Sequence, residues 1–468
     1  MPARKFAKVV VNPPGPNTRK VMETETEYFT YSHDRLYPLF AKNAKGCVIE
    51  DLDGNSFIDF SQGSGSVSIG IGNEEQVAAM HRELDRGTVT GFPYSHESTV
   101  ELAKRIAEIT PGNFKKRVAF GTSGEEANEG AFKLARWHTR RPQFLSFFGA
   151  HHGFLGFTTA LDGHYSAQVR GFHPLTPGVV HVPYPYCYRC PWGKTFPDCG
   201  YACLDWIENM VMNTIAPPDN IAGIFVESYQ GPGGMVPAPK DFHPRLKKIC
   251  ERNGILFIDD EILTGLGRTG TMFGIDHYEG VIPDIIVLGK GLSNSAFPIS
   301  AFVSSQEIMD WEPGAHTTTY HGHPLGAVAA LTVLDVIERK NLVERSRVVG
   351  DSARKRFQEM QERHPLIGDV RGTGLFIGVE FVKDRNTKEP ATRETMLLAY
   401  AAFKKGLILQ WNGLKFNVVK IYPSLQIEED VLNEGIDIFE EALIDVERGR
   451  VELPSDLPQQ YLIKTSYR

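Results

Sequence analysis

The sequence predicts an α/β protein built around a doubly wound, mostly parallel sheet of seven strands. Apolar, β-branched runs of strand length recur between residues 100 and 345, helical patterns separate them, and polar or Gly-rich turns follow them. The predicted strands are 117–120, 144–148, 179–182, 222–226, 255–258, 285–288 and 299–304. Such a sheet buries both faces and collects functional side chains where its strands end.

The two ends of the chain are predicted to join as a smaller α+β domain. Residues 1–20 are basic and Pro-rich, which favours an extended arm, and residues 47–60 alternate like a hairpin that turns at Asp53 and Gly54. The later elements are predicted as helices at 331–340, 346–363 and 429–447 and strands near 375–382, 406–410 and 418–422. The predicted division is therefore an arm with part of the small domain (1–75), a large domain (76–345) and the rest of the small domain (346–468).

Composition excludes several classes of function. The chain has 468 residues, a formal net charge of −7 and a pI near 6.1, so it has no general attraction for nucleic acid or membrane surfaces. It shows no apolar run of transmembrane length, no signal peptide and no DNA-binding motif. We therefore expect a cytoplasmic enzyme that acts on small molecules.

The first functional element is the predicted strand, turn and helix at residues 117–136. Backbone N–H groups at the helix start, together with the Ser123 hydroxyl, can hold a phosphate monoester. The glycines fit neither a P-loop nor the GxGxxG pattern. An ordinary helix with Ser123 as its N-cap is the alternative.

The second element is the acidic end of the predicted strand 255–258. Asp259, Asp260 and Glu261 follow it directly, where open α/β sheets bind ligands. A cofactor with a pyridinium nitrogen needs a carboxylate there, and Asp260 can supply it while Ile262 packs on the ring face. The alternative is a solvated acidic loop.

The third element is Lys290, which stands between Gly289 and Gly291 at the end of the predicted strand 285–288. Desolvation would lower the pKa of its ammonium group, and a neutral amine can form a Schiff base with a carbonyl. The glycines would let a bulky ligand approach the backbone. A solvated strand end is the alternative.

Pyridoxal phosphate is the cofactor that these three elements indicate. Along the chain they are a phosphate cradle, an acid for a ring nitrogen and a lysine that can form a Schiff base. The chain closely resembles the class III aminotransferases of subgroup II (ω-amino-acid type), which have fold type I. The resemblance covers nearly the whole chain and rests on IEDLDGNSFIDF, SGEEANE, GAHHG, VESYQGPGG, DDEILTGLGRTG, PDIIVLGKGL, TTTYHGHPLG, RGTGLFIGVEF and VVKIYPSL. These motifs specify the family better than the substrate.

The resemblance implies roles for individual residues. Lys290 would form the aldimine with the cofactor and shuttle the proton, Asp260 would pair with the pyridine nitrogen, and Ser123, Gly124 and Glu125 would form the phosphate cradle. The carboxylate of Glu125 would be repelled by the phosphate, so we expect it to point outward.

Further roles involve the partner subunit and the substrate. Thr319 matches a threonine that reaches the phosphate from the neighbouring subunit, which implies a homodimer with shared sites. Glu227 matches an acid that pairs with an arginine, and that arginine binds the substrate carboxylate in relatives. Lys420 stands in place of the arginine and lacks its bidentate fork. We therefore expect Lys420 to rest against Glu227, and pyruvate to be favoured as amino acceptor over 2-oxoglutarate.

The predicted function is transfer of an amino group from an amine or amino acid to a keto acid. His151 stands where relatives have a ring-stacking aromatic residue, and an imidazole can still stack. Because His151 could also return a proton to the substrate carbon, an amino-acid racemase or epimerase is the alternative. A sensor that binds the cofactor without turnover is a third hypothesis, but the family-like region begins near residue 27 and leaves no room for a helix-turn-helix module.

Four of the six cysteines cluster with the spacing C-x2-C-x8-C-x3-C. Cys187, Cys190, Cys199 and Cys203 could form a tetrahedral site for zinc or, as a weaker alternative, for an iron–sulfur cluster. The x8 gap is shorter than in usual zinc modules. The favoured interpretation is therefore a loop of reduced, packed thiols with no metal.

Overall fold

The computed structural model describes residues 4–33, 35–87, 94–454 and 456–457, and its largest sheet is the predicted one. From edge to edge the strands are Lys116–Gly121, Ser300–Ser305, Ile285–Leu288, Leu256–Asp260, Ile221–Val226, Gln143–Phe147 and Val179–Val182. Ser300–Ser305 is antiparallel to both neighbours, whereas the other pairs are parallel. Each strand begins and ends within two residues of its predicted limits.

Helices cover both faces of this sheet. Across the described residues of the whole chain, the helices of twelve or more residues are Pro16–Tyr28, Glu74–Asp85, Glu97–Ile109, Gly124–Thr139, Phe242–Asn253, Pro324–Arg339, Leu342–Arg363, Thr392–Lys404 and Glu429–Glu447. Shorter helical segments are Gln62–Gly65, Gly156–Leu161, Ala202–Trp206 and Met212–Thr214. Within the described ranges, none of the helices combines the length and the apolar character needed to cross a membrane.

The core lies on the two sides of the large sheet. On one side Phe132, from helix Gly124–Thr139, stacks on Phe144 with ring centroids 3.9 Å apart and on Phe157 at 4.6 Å. Leu145, the next residue along the strand, belongs to the core of the opposite side. Because successive strand residues point to opposite faces, both faces are buried and the strand ends are left to carry polar groups.

Two smaller sheets are built from the chain ends. The first contains Ala41–Lys45, Val48–Asp51, Ser56–Asp59 and Leu407–Ile408, and the second contains Ile367–Thr373, Phe376–Asp384, Val418–Ile421 and Gln410–Asn412. The predicted hairpin forms, and its strand Ser56–Asp59 pairs in parallel with Leu407–Ile408, so N- and C-terminal segments share one sheet. The domain limits at 75 and 345 stay a prediction.

Three elements differ from the prediction. Strand Ala41–Lys45 was not predicted, because its side chains are polar and mostly exposed and only pairing with Val48–Asp51 makes it a strand. Strand Ile367–Thr373 was also missed. Helix Pro16–Tyr28 begins inside the predicted arm. Proline suits the first turn of a helix, and the Asp53 carboxylate accepts hydrogen bonds from the next two backbone N–H groups.

Candidate active site

Lys290 lies where the sequence places it, one residue beyond Gly289 at the end of strand Ile285–Leu288. It opens a short 3₁₀ turn, Lys290–Leu292, in the left-handed conformation with φ 41°. Burial lowers the pKa of its ammonium group, and the negative charges of Asp260 and Glu227 oppose this only in part. The fold therefore favours the neutral, nucleophilic amine.

Asp260 ends the neighbouring parallel strand, Leu256–Asp260, and is buried. Its Oδ2 accepts hydrogen bonds from Asn128 Nδ2 at 2.8 Å and His152 Nδ1 at 2.7 Å, and its Oδ1 accepts one from the Ile262 backbone N–H at 3.0 Å. Burial alone would raise the pKa of Asp260, but these hydrogen bonds and the charge of His152 outweigh it and lower the pKa. The carboxylate is therefore held ionised.

His152 and Asn128 are functional residues that sequence reasoning missed. The His152 side chain is fully buried, and although burial acts to lower its pKa, the hydrogen bond to Asp260 and nearby carboxylates raise it. A cationic imidazole can thus face the ionised Asp260. The available signal was the second histidine of the motif GAHHG, because a histidine that becomes buried in the fold needs a polar partner.

Asp259 points to the other side of its strand, as the alternation of strand side chains requires. It lies 2.7 Å from Ser228 Oγ, which is also 2.8 Å from the Glu261 carboxylate. Burial and the charge of Glu261 raise the pKa of Asp259 well above its ordinary value. Asp259 therefore binds its proton more tightly than an exposed aspartate does, and it lies on the side of the strand opposite Asp260.

The predicted phosphate cradle lies at the start of helix Gly124–Thr139. Ser123 is its N-cap, with the hydroxyl accepting a hydrogen bond from the Glu126 N–H at 3.3 Å. A Cβ on Gly289 would come within 3.2 Å of Gly124 Cα, so the helix start and the lysine segment approach as only glycines allow. Ile262 packs against both glycines.

Glu125 lies in the first turn of the same helix. Its carboxylate accepts a hydrogen bond from the Phe154 backbone N–H at 2.9 Å. The acid is thus bound to the protein backbone, and the Glu125 carboxylate does not occupy the N–H groups at the start of its own helix.

A cavity of about 350 Å³ opens in front of Lys290. Lys420, His151 and His164 line it together with several aromatic and amide side chains, and among the described residues that line it none is acidic. His151 Nδ1 lies 2.9 Å from Asp162 Oδ2. The cavity therefore suits a small substrate that carries negative charge.

Glu227 and Lys420 do not form the expected pair. Glu227 accepts backbone hydrogen bonds from His151 at 3.1 Å and Gly231 at 2.8 Å, and burial raises its pKa to about 7. Burial and the charge of Lys290 lower the pKa of Lys420 to about 7. Within the described ranges no ion pair of 4 Å or less joins the two side chains, because backbone N–H groups already bind Glu227.

Thr319 is exposed in the loop between Ser300–Ser305 and Pro324–Arg339 and does not line the cavity of its own chain. This position agrees with a residue that serves a neighbouring subunit. Its role, like the ring-stacking role of His151, stays a prediction.

The four clustered cysteines line a separate small cavity of about 20 Å³. All six cysteines are free thiols, and within the described ranges no group of three or more His, Cys, Asp or Glu residues is arranged to hold a metal ion. Burial raises the pKa of Cys187, and that of Cys203 to about 12, which favours thiols over metal-binding thiolates. The predicted loop of reduced, packed thiols stays a prediction, with metal binding as its alternative.

The residues at the sheet edge fit pyridoxal phosphate. An ionised carboxylate, Asp260, suits a pyridinium nitrogen, and a lysine with a lowered pKa, Lys290, suits an aldehyde. The start of helix Gly124–Thr139 suits a phosphate, since the N-terminus of a helix presents backbone N–H groups and its first residue, Gly124, carries no side chain.

Comparison with known proteins agrees with this geometry. The family model for aminotransferase class-III matches residues 28–443. An alanine/serine racemase of Pyrococcus horikoshii is 37% identical over 458 residues, covering 96% of this chain and 94% of the relative. A 4-aminobutyrate aminotransferase of Escherichia coli is 33% identical, covering 90% and 97%. A Bacillus anthracis aminotransferase structure superposes with TM-score 0.85 and 31% identity, covering 92% and 98%. The chain belongs to the class-III aminotransferases, a family of pyridoxal phosphate enzymes.

Proposed function

We propose that Lys290 and Asp260 carry the amino transfer of this enzyme, from an amino acid or amine to a keto acid. The supporting observation is that the two side chains end adjacent parallel strands, one with a lowered ammonium pKa and the other held ionised. Pyridoxal phosphate, when bound, supplies the aldehyde that takes up the amino group and a ring that withdraws electrons from the substrate carbon.

Each residue then has a separate task. The neutral Nζ of Lys290 would take the proton from the substrate carbon and deliver it to the cofactor carbon that carried the aldehyde, and not back to the substrate carbon. Asp260 holds a proton on the ring nitrogen, and His152 and Asn128 keep its carboxylate ionised and oriented. Ser123 and the backbone at the start of helix Gly124–Thr139 hold the phosphate.

Lys420 is proposed to bind the substrate carboxylate. It is buried in strand Val418–Ile421, lines the cavity and has no ion-pair partner within the described ranges. A buried ammonium without a partner is costly, so an anion entering the cavity is stabilised there. Lysine donates from a single atom and lacks the planar fork of arginine, which supports pyruvate as amino acceptor over the larger 2-oxoglutarate. Glu227, whose pKa is about 7, is proposed to gain or lose a proton and so adjust the net charge beside Lys420.

Replacing Lys420 by methionine should raise KM for carboxylate-bearing amino acids. The loss of a hydrogen bond between charged groups corresponds to about a tenfold to hundredfold rise, at roughly 1.4 to 3 kcal/mol. Steady-state kinetics would measure it, and kcat/KM for the matching amine without a carboxylate should change less than about twofold. Equal losses with both substrates would show that the carboxylate is bound elsewhere.

Racemisation is the second candidate function. His151 lines the cavity, and the contact between its Nδ1 and the Asp162 carboxylate orients the ring. His151 can therefore act as the acid that returns a proton to the substrate carbon. The Pyrococcus relative is named an alanine/serine racemase. Half-reactions with a panel of amino acids, followed by absorbance and chiral analysis, separate the two. Accumulated keto acid supports transfer, whereas inverted amino acid without keto acid supports racemisation.

We also propose a cytoplasmic homodimer in which Thr319 of one subunit contacts the phosphate bound by the other. The exposed position of Thr319 outside the cavity of its own chain supports this. The free cysteines support a reducing compartment.

Thr319→Val should weaken cofactor binding by about 1–3 kcal/mol, since a phosphate oxygen loses its hydroxyl partner. Cofactor titration followed by absorbance would measure it. Mixing Thr319→Val subunits with inactive Lys290→Ala subunits should restore tight binding and activity, because each hybrid dimer then has one wild-type site. Unrestored activity in verified hybrids would place Thr319 in its own subunit's site.

A further inference from the structure

Arg35 lines the substrate cavity together with Lys420 and has no role in the chemistry described above. Its side chain is 34% exposed, so a ligand in the cavity can reach it. The segment that carries Arg35 is fixed beside the strand next to Lys420. Tyr37 Oη donates a hydrogen bond to the Leu409 backbone carbonyl at 2.5 Å, and Gln410, the next residue, is the register partner of Lys420. Two cationic side chains thus reach one cavity from neighbouring segments.

The guanidinium group of Arg35 is already held by Glu25, from helix Pro16–Tyr28. Its Nε and Nη2 both donate to Glu25 Oε1, at 3.0 and 2.6 Å. The Glu25 side chain is 12% exposed, and the Phe29 ring lies 5.1 Å from the guanidinium carbon. Because a partly buried ion pair is screened less than a surface pair, Glu25 offsets the charge of Arg35 before a ligand enters.

The lysine and arginine residues that line the cavity, within the described part of the chain, are Arg35, Lys290 and Lys420. Lys290 serves the cofactor and Arg35 is neutralised, so Lys420 is left to bind one substrate carboxylate. A second carboxylate would lose its hydration without a cation to receive it. To reach Arg35 it would have to displace Glu25, which is tethered to the same chain and is therefore always present.

We propose that the pair of Glu25 and Arg35 selects substrates with a single carboxylate and rejects dicarboxylates. The accepted class is then monocarboxylic amino acids and keto acids with an uncharged side chain. The inference rests on the proposed role of Lys420 and gives the preference for pyruvate a second cause. Glu25 is the specificity-determining residue, because removing its charge would free the fork of Arg35 for a second carboxylate.

The test measures binding without turnover. Pentanoate and glutarate have the same carbon chain and differ by one carboxylate, and each is titrated into the holoenzyme by calorimetry. The wild type should bind pentanoate more tightly. Glu25→Gln keeps the length of the side chain but removes its charge. It should tighten glutarate binding about tenfold, the effect of one hydrogen bond between charged groups, while pentanoate changes less than about twofold.

Glu27→Gln is the matched control, since the same change is made two residues further along the same helix. That exposed side chain points to a different face, and both affinities should stay within about twofold of the wild type. Arg35→Met added to Glu25→Gln should remove the gain for glutarate, because the cation is then absent. Glu25→Ala is a second variant and should also favour glutarate, since alanine suits a helix.

Unchanged glutarate affinity in both Glu25 variants would overturn the inference. Equal tightening of the two ligands, or a gain that survives Arg35→Met, would overturn it too. The wild-type comparison needs no variant, and a wild type that prefers glutarate contradicts the proposed selection. Lys420→Met separates the two roles. If it leaves pentanoate binding unchanged, the role of Lys420 is wrong, whereas the effect of Glu25 is still read from glutarate.

Discussion

Lys290→Ala is expected to abolish amino transfer while the protein stays folded and still binds the cofactor. Lys290 provides both the nucleophile and the proton carrier, so the loss should be on the order of a millionfold in kcat. The side chain begins a short turn at the cavity and has no ion pair that supports the core within the described ranges, so stability should change little. Single-turnover kinetics would measure the loss, with circular dichroism to verify folding.

An added small amine offers a matched control for this variant. Methylamine can enter the space left by the lysine side chain and partly replace its amino group as proton carrier. Partial recovery that rises with methylamine concentration would show that the missing group is the amine. If Lys290→Ala keeps a tenth of the wild-type rate without any added amine, Lys290 is not the catalytic lysine.

Asp260→Asn is expected to keep the fold and the cofactor but to slow proton removal by about a hundredfold to a thousandfold, the scale of losing a preorganised charge in an active site. A neutral amide cannot hold a proton on the ring nitrogen. The change also leaves His152 Nδ1 facing an amide, so the hydrogen bond that raises the pKa of His152 loses its charge. A deuterium label on the substrate carbon would show whether proton removal has become rate-limiting.

Asp259→Asn is the control, since the same change is made at the adjacent residue. Asp259 faces Ser228 on the opposite side of the strand, and burial and the charge of Glu261 raise its pKa, so replacing it by a neutral amide should disturb its surroundings little. Asparagine has nearly the same shape as the protonated acid and can donate to Glu261. We expect less than about a threefold loss in kcat. Equal damage from both changes would show that Asp260 is not the ring-nitrogen acid.

The sequence predicted the large sheet well because its strands carry a strong local signal. Runs such as 285–288 are short, apolar and β-branched, and a run of this kind is stable only when both faces are covered. Strands with a weaker apolar pattern were not predicted from the sequence. Ala41–Lys45 is polar and exposed, and it becomes a strand only through hydrogen bonds to a neighbour that sequence periodicity does not reveal.

The sequence by itself determined which residues stand at the ends of strands and helices, and Lys290, Asp260 and Ser123 follow from that, because position in an element is a local property. Only the tertiary structure decided which side chains meet. It placed His152 against Asp260, bound Glu227 through backbone N–H groups instead of Lys420, and set His164 and Lys420 in the lining of one cavity. The hydrogen bond of Glu227 joins residues 76 positions apart and that of Asp260 joins residues 108 positions apart, so no local pattern encodes them. Burial then shifts each pKa, because the loss of water around a charged group depends on the whole surrounding fold.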